Sequence, residues 1–328
     1  MLKDKKVLVT GAGGFIGSHL VETLARKGAN VRAFVKYNGR GDLGMLSELP
    51  EETLGDLDIV MGDIRDPFFV RKAVKGCDIV FHLAALIGIP YSYIAPNDYV
   101  SVNVQGTLNI LQACRDEGTP RIVHTSTSET YGTAIYVPID EKHPLQGQSP
   151  YSASKIAADK MAESYYRSFE TPVVIIRPFN TFGPRQSARA VIPTAIIQAL
   201  TQNKIMMGSL EPVRDLTFVK DTAEGFIKVG LCDKVIGQTV NLGVGHGHTI
   251  GDVVKMILKI IGKDVEIIQD PQRIRPAKSE VMQLVSDNTI AKSICGWEPQ
   301  YTLQQGLEET VEWIKHNLSR FRPQVYNV

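Results

Sequence analysis

The chain of 328 residues is poor in several features that would have placed it quickly. It has four cysteines, Cys77, Cys114, Cys232 and Cys295, scattered with no Cys-x-x-Cys spacing. That excludes a disulfide scaffold and a cysteine-based zinc module, and it suits buried thiols in a reducing compartment. Charge of either sign is in no excess: 36 Lys and Arg against 35 Asp and Glu leave +1. A whole-surface attraction to nucleic acid or membrane is thereby excluded, although a local basic pocket for phosphate is not. The apolar run after Lys3, Asp4, Lys5 and Lys6 is too short for a signal peptide or a membrane span, so the expected location is cytoplasmic. Repeats, charge blocks and low-complexity tracts are absent. His246-Gly-His248 has no third or fourth ligand at readable spacing, and no metal is expected.

What is present is an alternation of apolar strands and amphipathic helices. Strands are expected over 6–10, 30–36, 58–62, 78–83, 121–126, 171–177 and 238–242, with helices between them, including a long one over 97–117. That rhythm predicts an α/β fold, a Rossmann-type doubly wound parallel sheet with a smaller C-terminal α/β substrate domain. The expected dinucleotide-binding domain is 1–178, rejoined by about 214–243; 179–213 and 244–328 form the substrate domain.

The first strand runs into Gly11-Ala-Gly-Gly14-Phe15-Ile16-Gly17 and then a helix. Glycines there allow a tight turn, close approach of a pyrophosphate and close helix packing, while the helix N-terminus offers amides. A dinucleotide is therefore expected, bordered by Asp63 and Ile64 after the third strand and by Leu83, Ala84 and Ala85 after the fourth. The second strand lacks the acid that would bond a ribose hydroxyl; Lys36 and Arg40 follow instead, which favours NADP over NAD.

Tyr151 and Lys155 lie four residues apart in the helical segment 150–169, so they share a face. A neighbouring ammonium and an oxidised nicotinamide would lower a tyrosine from its usual value of about 10, making Tyr151 a general base. Thr127, Ser128 and Glu129 follow the fifth strand at its carboxyl end, where open α/β sheets bind ligands. Glu129 is a second base, and two bases suggest a reaction that also breaks a carbon–hydrogen bond. Asn103 is read as satisfying backbone. Arginines at 177, 185, 189, 214, 273 and 275 stand in breaker-rich loops, and some are expected to clamp a pyrophosphate.

With these motifs, and with Gly62-Asp63, Phe81-His-Leu-Ala-Ala85, Asn103-Val-Gln-Gly-Thr107, Arg177-Pro-Phe-Asn-Thr-Phe-Gly-Pro184 and Arg214-Asp-Leu-Thr-Phe-Val219, the chain resembles the extended short-chain dehydrogenase/reductases, the epimerase/dehydratase family that acts on nucleotide-diphosphate sugars. The resemblance implies a sheet of about seven strands and a homodimer through a four-helix bundle. It also implies substrate contacts at Tyr91, Asn180, Arg185, Arg214, Arg275 and Glu280, and Lys155 bonding the nicotinamide ribose. Simple 4-epimerases of the family usually lack a glutamate at position 129. The 4,6-dehydratases carry Thr-Asp-Glu or Thr-Ser-Glu, and UDP-glucuronate decarboxylases also read Thr-Ser-Glu. Arg275-Pro-Ala-Lys-Ser-Glu280-Val is similar to the Arg-Pro-Thr-Glu-Val of the GDP-mannose dehydratases. Segments 84–93 and 140–151 look like the N-acetylglucosamine 4,6-dehydratases of legionaminic-acid biosynthesis. The expected enzyme is thus a 4,6-dehydratase of GDP- or UDP-N-acetylglucosamine that uses its cofactor catalytically, with decarboxylation or 4-epimerisation as alternatives.

Overall fold

A computed structural model describes residues 2–274 and 276–322. Six strands, β1 (Lys6–Thr10), β2 (Asn30–Lys36), β3 (Asp58–Gly62), β4 (Ile79–His82), β5 (Ile122–Thr125) and β6 (Val173–Pro178), join the strand Thr239–Leu242 in one sheet. Its order is Thr239–Leu242, β6, β5, β4, β1, β2, β3, and every pairing is parallel. The sequence dictates this. Runs such as Val7-Leu8-Val9 and Val173-Val174-Ile175-Ile176 are apolar at consecutive positions, so both faces must be covered. One apolar cluster packs on each side, built around Leu20, Leu24 and Phe226 on one face and Val70, Ile110 and Leu111 on the other.

The chain leaves β1 towards β2 and β3, then returns to place β4 on the other side of β1. At that reversal the connections diverge, opening a crevice beyond the carboxyl ends of β1 and β4. The helix Phe15–Arg26 begins immediately after β1 with Gly14 as its N-cap.

Two expectations change. The helix expected over 97–117 is present without a break from Pro96 to Asp116, but it widens into a π-helical turn at Val100–Gln105. The wide turn carries Asn103 inward, where its amide accepts from the Leu86 N–H and donates to the Leu86 carbonyl and to Ser154. Such turns often mark functional sites. The strand Val213–Phe218, expected with the large sheet, instead pairs with Asn180–Phe182, Gly247–Thr249 and Gln283–Leu284 in a second sheet. The following helix, Val219–Gly230, packs back on the large sheet and on the helix Phe15–Arg26, and the strand Thr239–Leu242 joins that sheet. A separate cluster including Ile196, Phe218, Val254 and Leu307 supports the second sheet. No helix among the described residues is long and apolar enough to cross a membrane.

Candidate active site

A cavity of about 770 Å³ runs along the carboxyl ends of the central strands, from Gly11 and Lys36 at one end to Glu129, Asn180 and Arg189 at the other. Its floor explains the glycines. Gly11 has φ +69°, and a Cβ there would stand 2.8 Å from the Ala84 nitrogen; a Cβ on Gly17 would stand 2.2 Å from the Gly11 carbonyl oxygen. The turn can close only without side chains. First-turn amides of the helix Phe15–Arg26 have no intrahelical partner and face the cavity with the positive end of the helix dipole. Gly14, Phe15, Ile16 and Gly17 line it together with Asp63, Ile64, Leu83, Ala84 and Ala85. The shape and the donors fit a dinucleotide.

At the far end of this groove Lys36 is exposed on the lining, whereas Arg40 is exposed away from it. The loop explains the difference. Asn38 accepts from the Arg40 and Asp42 N–H groups and donates to the Asp42 carbonyl, which folds the loop back so that Asn38 and Asp42 reach the cavity. Asp42 was beyond the strand end where an acid is normally sought. Asp63 lies on the lining with its carboxylate held by the Arg65 backbone and guanidinium.

The helix Pro150–Phe169 starts with a capping box, in which Ser149 and Ser152 satisfy one another's backbone N–H groups, and Pro150 occupies the first turn. This fixes the helix start, and with it the directions of Tyr151 and Lys155. Both are buried and on the cavity. Lys155 Nζ donates to the Thr125 carbonyl at 2.6 Å. The Thr127 side chain neighbours the Tyr151 hydroxyl, and the Tyr151 ring meets that of Tyr99 edge-on at 6.2 Å. Thr127 is also the N-cap of the short turn Ser128–Tyr131, accepting from the Glu129 N–H at 3.2 Å. Ser128 and Glu129 are thereby set on the cavity beside Tyr151.

The electrostatics differ from the expectation for Tyr151. Burial pushes its pKa up from the ordinary value; the neighbouring Thr127 side chain opposes that, and Glu129 adds to it. Burial also lowers Lys155 to about 8, against the pull of Asp159. Burial, with Glu129 adding to it, thus favours the neutral phenol, the opposite direction from the one a bound oxidised nicotinamide would impose.

The expected substrate residues separate. Asn180 lies on the lining with its buried Oδ1 lacking a partner. Tyr91 lies outside the lining and donates to Asp98. Arg185, at φ +68°, pairs with Glu22 of the helix Phe15–Arg26 at 2.8 Å, and Arg214 pairs with Glu280 at 3.2 Å; none of these lines the cavity. Acids nearer than the cavity hold these cations. Arg275 lies outside the described residues. Of the other suspected arginines, Arg177 is buried behind the site on Asp159, Arg273 pairs with Asp270, and Arg189 faces the cavity near Gly88. The apolar stretch Leu86 to Pro90, inside the segment 84–93 noted for its resemblance but given no role from the sequence, also lines it. Asp159 had a faint signal: it stands four residues beyond Lys155 on the same helical face. Among the described residues no group of three or more His, Cys, Asp or Glu forms a cation site.

Comparison with known proteins agrees with this geometry. The family profile described as GDP-mannose 4,6 dehydratase matches residues 8–310. A dTDP-D-glucose 4,6-dehydratase of Mus musculus is 29% identical, covering 97% of this chain and 91% of that protein. A UDP-N-acetyl-alpha-D-glucosaminuronate decarboxylase of Bacillus cytotoxicus is 30% identical over 95% of this chain and 98% of its own. The structure of a dTDP-glucose 4,6-dehydratase from Streptomyces venezuelae with NAD bound superposes with a TM-score of 0.85 at 29% identity, covering 97% of this chain and 99% of that one. A glycine-cradled groove leading to a buried Tyr-Lys pair, on a fold shared with these enzymes from end to end, places the chain in the extended short-chain dehydrogenase/reductases, as a member of the epimerase/dehydratase family described as GDP-mannose 4,6 dehydratase.

Proposed function

We propose that the protein is a nucleotide-diphosphate-sugar 4,6-dehydratase acting on GDP- or UDP-linked N-acetylglucosamine. The observation that carries this reading is Glu129, a second base on the cavity beside Tyr151. Tyr151, as phenolate, takes the proton of the sugar's 4-hydroxyl, and Thr127 hydrogen-bonds that oxygen. The bound nicotinamide supplies a hydride sink, filled from carbon 4 and emptied to carbon 6, and a positive charge that offsets the burial of the phenol. With carbon 4 a ketone, the hydrogen on carbon 5 is acidic and Glu129 removes it. The 6-hydroxyl leaves as water, protonated by Glu129 or through Ser128, and carbon 5 takes a proton from solvent by way of Glu129 as hydride returns to carbon 6. Lys155, fixed on the Thr125 carbonyl, keeps a cation next to Tyr151 and within reach of the nicotinamide ribose. Asn180 and Arg189 are the groups placed to receive the diphosphate.

The cofactor reading is NADP, since Lys36 is the cation at the adenosine end; Asp42 beside it, and the NAD bound to the Streptomyces relative, support NAD as the second reading. A second reaction also has support. The decarboxylase relative and the shared Thr-Ser-Glu triplet favour loss of carbon dioxide from a uronate, with Arg189 on the carboxylate. Incubating the protein with GDP- and UDP-linked N-acetylglucosamine, mannose and glucuronate, with either cofactor, and following mass tests both. Loss of one water is the expected result; loss of carbon dioxide, or epimerisation without a mass change, overturns it.

A further inference from the structure

Behind the cavity lies a buried polar group that none of the proposed steps uses. Asp159 is 2% exposed, yet its carboxylate accepts from four donors. They are His124 Nε2 at 3.1 Å, Ser126 Oγ at 2.7 Å, and Arg177 Nε and Nη2 at 3.2 and 2.9 Å. Arg177, equally enclosed, donates through Nη1 to the Tyr131 hydroxyl at 3.0 Å, and Tyr131 donates to Asn241 at 2.7 Å. Neither Asp159 nor Arg177 touches the cavity. What they hold is the segment that does. Ser126 leads into Thr127, the N-cap of the turn Ser128–Tyr131, Tyr131 ends that turn, and the two are tied to one ion pair. The same helix carries Tyr151 and Lys155, eight and four residues before Asp159, on one face.

Stability alone does not explain this construction. A buried ion pair gains little over a well-packed apolar pair once desolvation is counted, whereas buried hydrogen-bonded groups fix the arrangement of whatever they join.

We propose that Asp159 is a positioning residue of this active site: with Arg177 it clamps Ser126 and Tyr131, the two ends of the turn, and so sets where Glu129 stands relative to Tyr151 and Lys155. The part of this that concerns Glu129 rests on the two-base reading given above. Asp159 also supplies the negative charge that opposes the burial of Lys155. The charged and titratable groups facing Tyr151 and Lys155 are His82 of β4, His124 of β5, Glu129 of the turn, Tyr99, and Asp159 itself, with Arg177 of β6 one contact further. Both histidines are buried with lowered pKa values, so the Asp159 carboxylate is the charge here whose removal acts on both catalytic groups in one direction.

The test uses the full-length protein with its cofactor and the nucleotide sugar it accepts. It separates two single-turnover signals: absorbance of reduced nicotinamide for the hydride step, and solvent deuterium entering carbon 5 for the Glu129 step. Tyr131→Phe and Ser126→Ala each remove one hydroxyl and nothing else. They are expected to slow the carbon 5 step about tenfold to 100-fold, with KM and the hydride step within about twofold. Asp159→Asn is expected to slow both steps and to move both limbs of the hydride step's pH profile to lower pH, because Lys155 then loses its proton sooner and Tyr151 loses its proton more easily. Cofactor affinity stays within about twofold in all three, because the glycine loop is untouched. Hydroxyl variants that melt earlier yet keep both steps, or a folded Asp159→Asn with an unmoved pH profile, overturn the proposal. If Asp159→Asn does not fold, the two hydroxyl variants decide. Should the wild-type protein reduce its nicotinamide without exchanging carbon 5 or losing water, the dehydratase reading fails; the pH profile of Asp159→Asn then still decides whether the clamp positions the Tyr151–Lys155 pair.

Discussion

Lys155 and Thr125 are joined by a 2.6 Å hydrogen bond from ammonium to backbone carbonyl, which fastens the helix Pro150–Phe169 to the end of β5. The ammonium is therefore directed as well as charged. Burial lowers its pKa to about 8, so the cation the site depends on is lost at mildly alkaline pH. Lys155→Met should abolish hydride transfer, and Tyr151→Phe should slow it by about 10²–10⁴-fold. In both variants the dinucleotide should still bind, because the glycine cradle lies at the other end of the groove. Stopped-flow absorbance of the reduced nicotinamide, alongside equilibrium binding, checks the pair of outcomes.

Glu129→Gln separates the two bases. Hydride transfer should continue while elimination falls by about 10²–10⁴-fold, so reduced cofactor and a 4-keto sugar accumulate. Solvent deuterium should no longer enter carbon 5, which mass spectrometry of the recovered nucleotide sugar reads directly. Full retained dehydration would sink the role given to Glu129.

Lys36 and Asp42 stand at the same end of the cavity with opposite charge. A charge-assisted contact to a 2′-phosphate is worth about 1.5–3 kcal/mol. Lys36→Ala is therefore expected to weaken NADP by about tenfold to 100-fold and NAD by little, and Asp42→Ala to weaken NAD more than NADP. Calorimetric affinities for the two cofactors give the answer.

Acid should unfold the protein through its buried histidines. His19 is held neutral chiefly by burial, assisted by the Arg185 charge, so that its pKa falls from 6.5 to about 4 in the fold. The unfolded chain binds this proton first, so the stability His19 contributes is complete above 6.5 and is lost as pH falls towards 4. The loss is on the order of 3 kcal/mol. His82 and His124, also lowered by burial, act with the same sign. The His19 contribution should be flat between pH 6.5 and about 8 and fall towards 4, opposed in part by Asp215, whose pKa burial raises to about 6, and His19→Asn should make the drop in melting temperature shallower. Thermal scans across this range check it.

The sequence by itself determined whatever depends on neighbours along the chain. Gly11, Gly14 and Gly17 announce a turn that only glycine can close, the spacing of Tyr151 and Lys155 places both on one face of any helix that contains them, and consecutive apolar residues in β1 and β6 require a sheet covered on both sides. None of that needs to know what packs against what. Tertiary structure alone decided the partners of the long polar side chains. Arg185 and Arg214 went to Glu22 and Glu280 and left Arg189 to the cavity, the strand Val213–Phe218 paired in the second sheet, and Asp159 gathered Ser126, His124 and Arg177 from strands distant in the chain. A guanidinium or carboxylate at the end of a flexible stem is satisfied by whichever opposite group the fold brings within about 3 Å, and burial sets how strongly. For the same reason the sequence could name Tyr151 as a base but not the direction of its pKa: its distance from charge and from water is a property of the packed site, not of the spacing that revealed it.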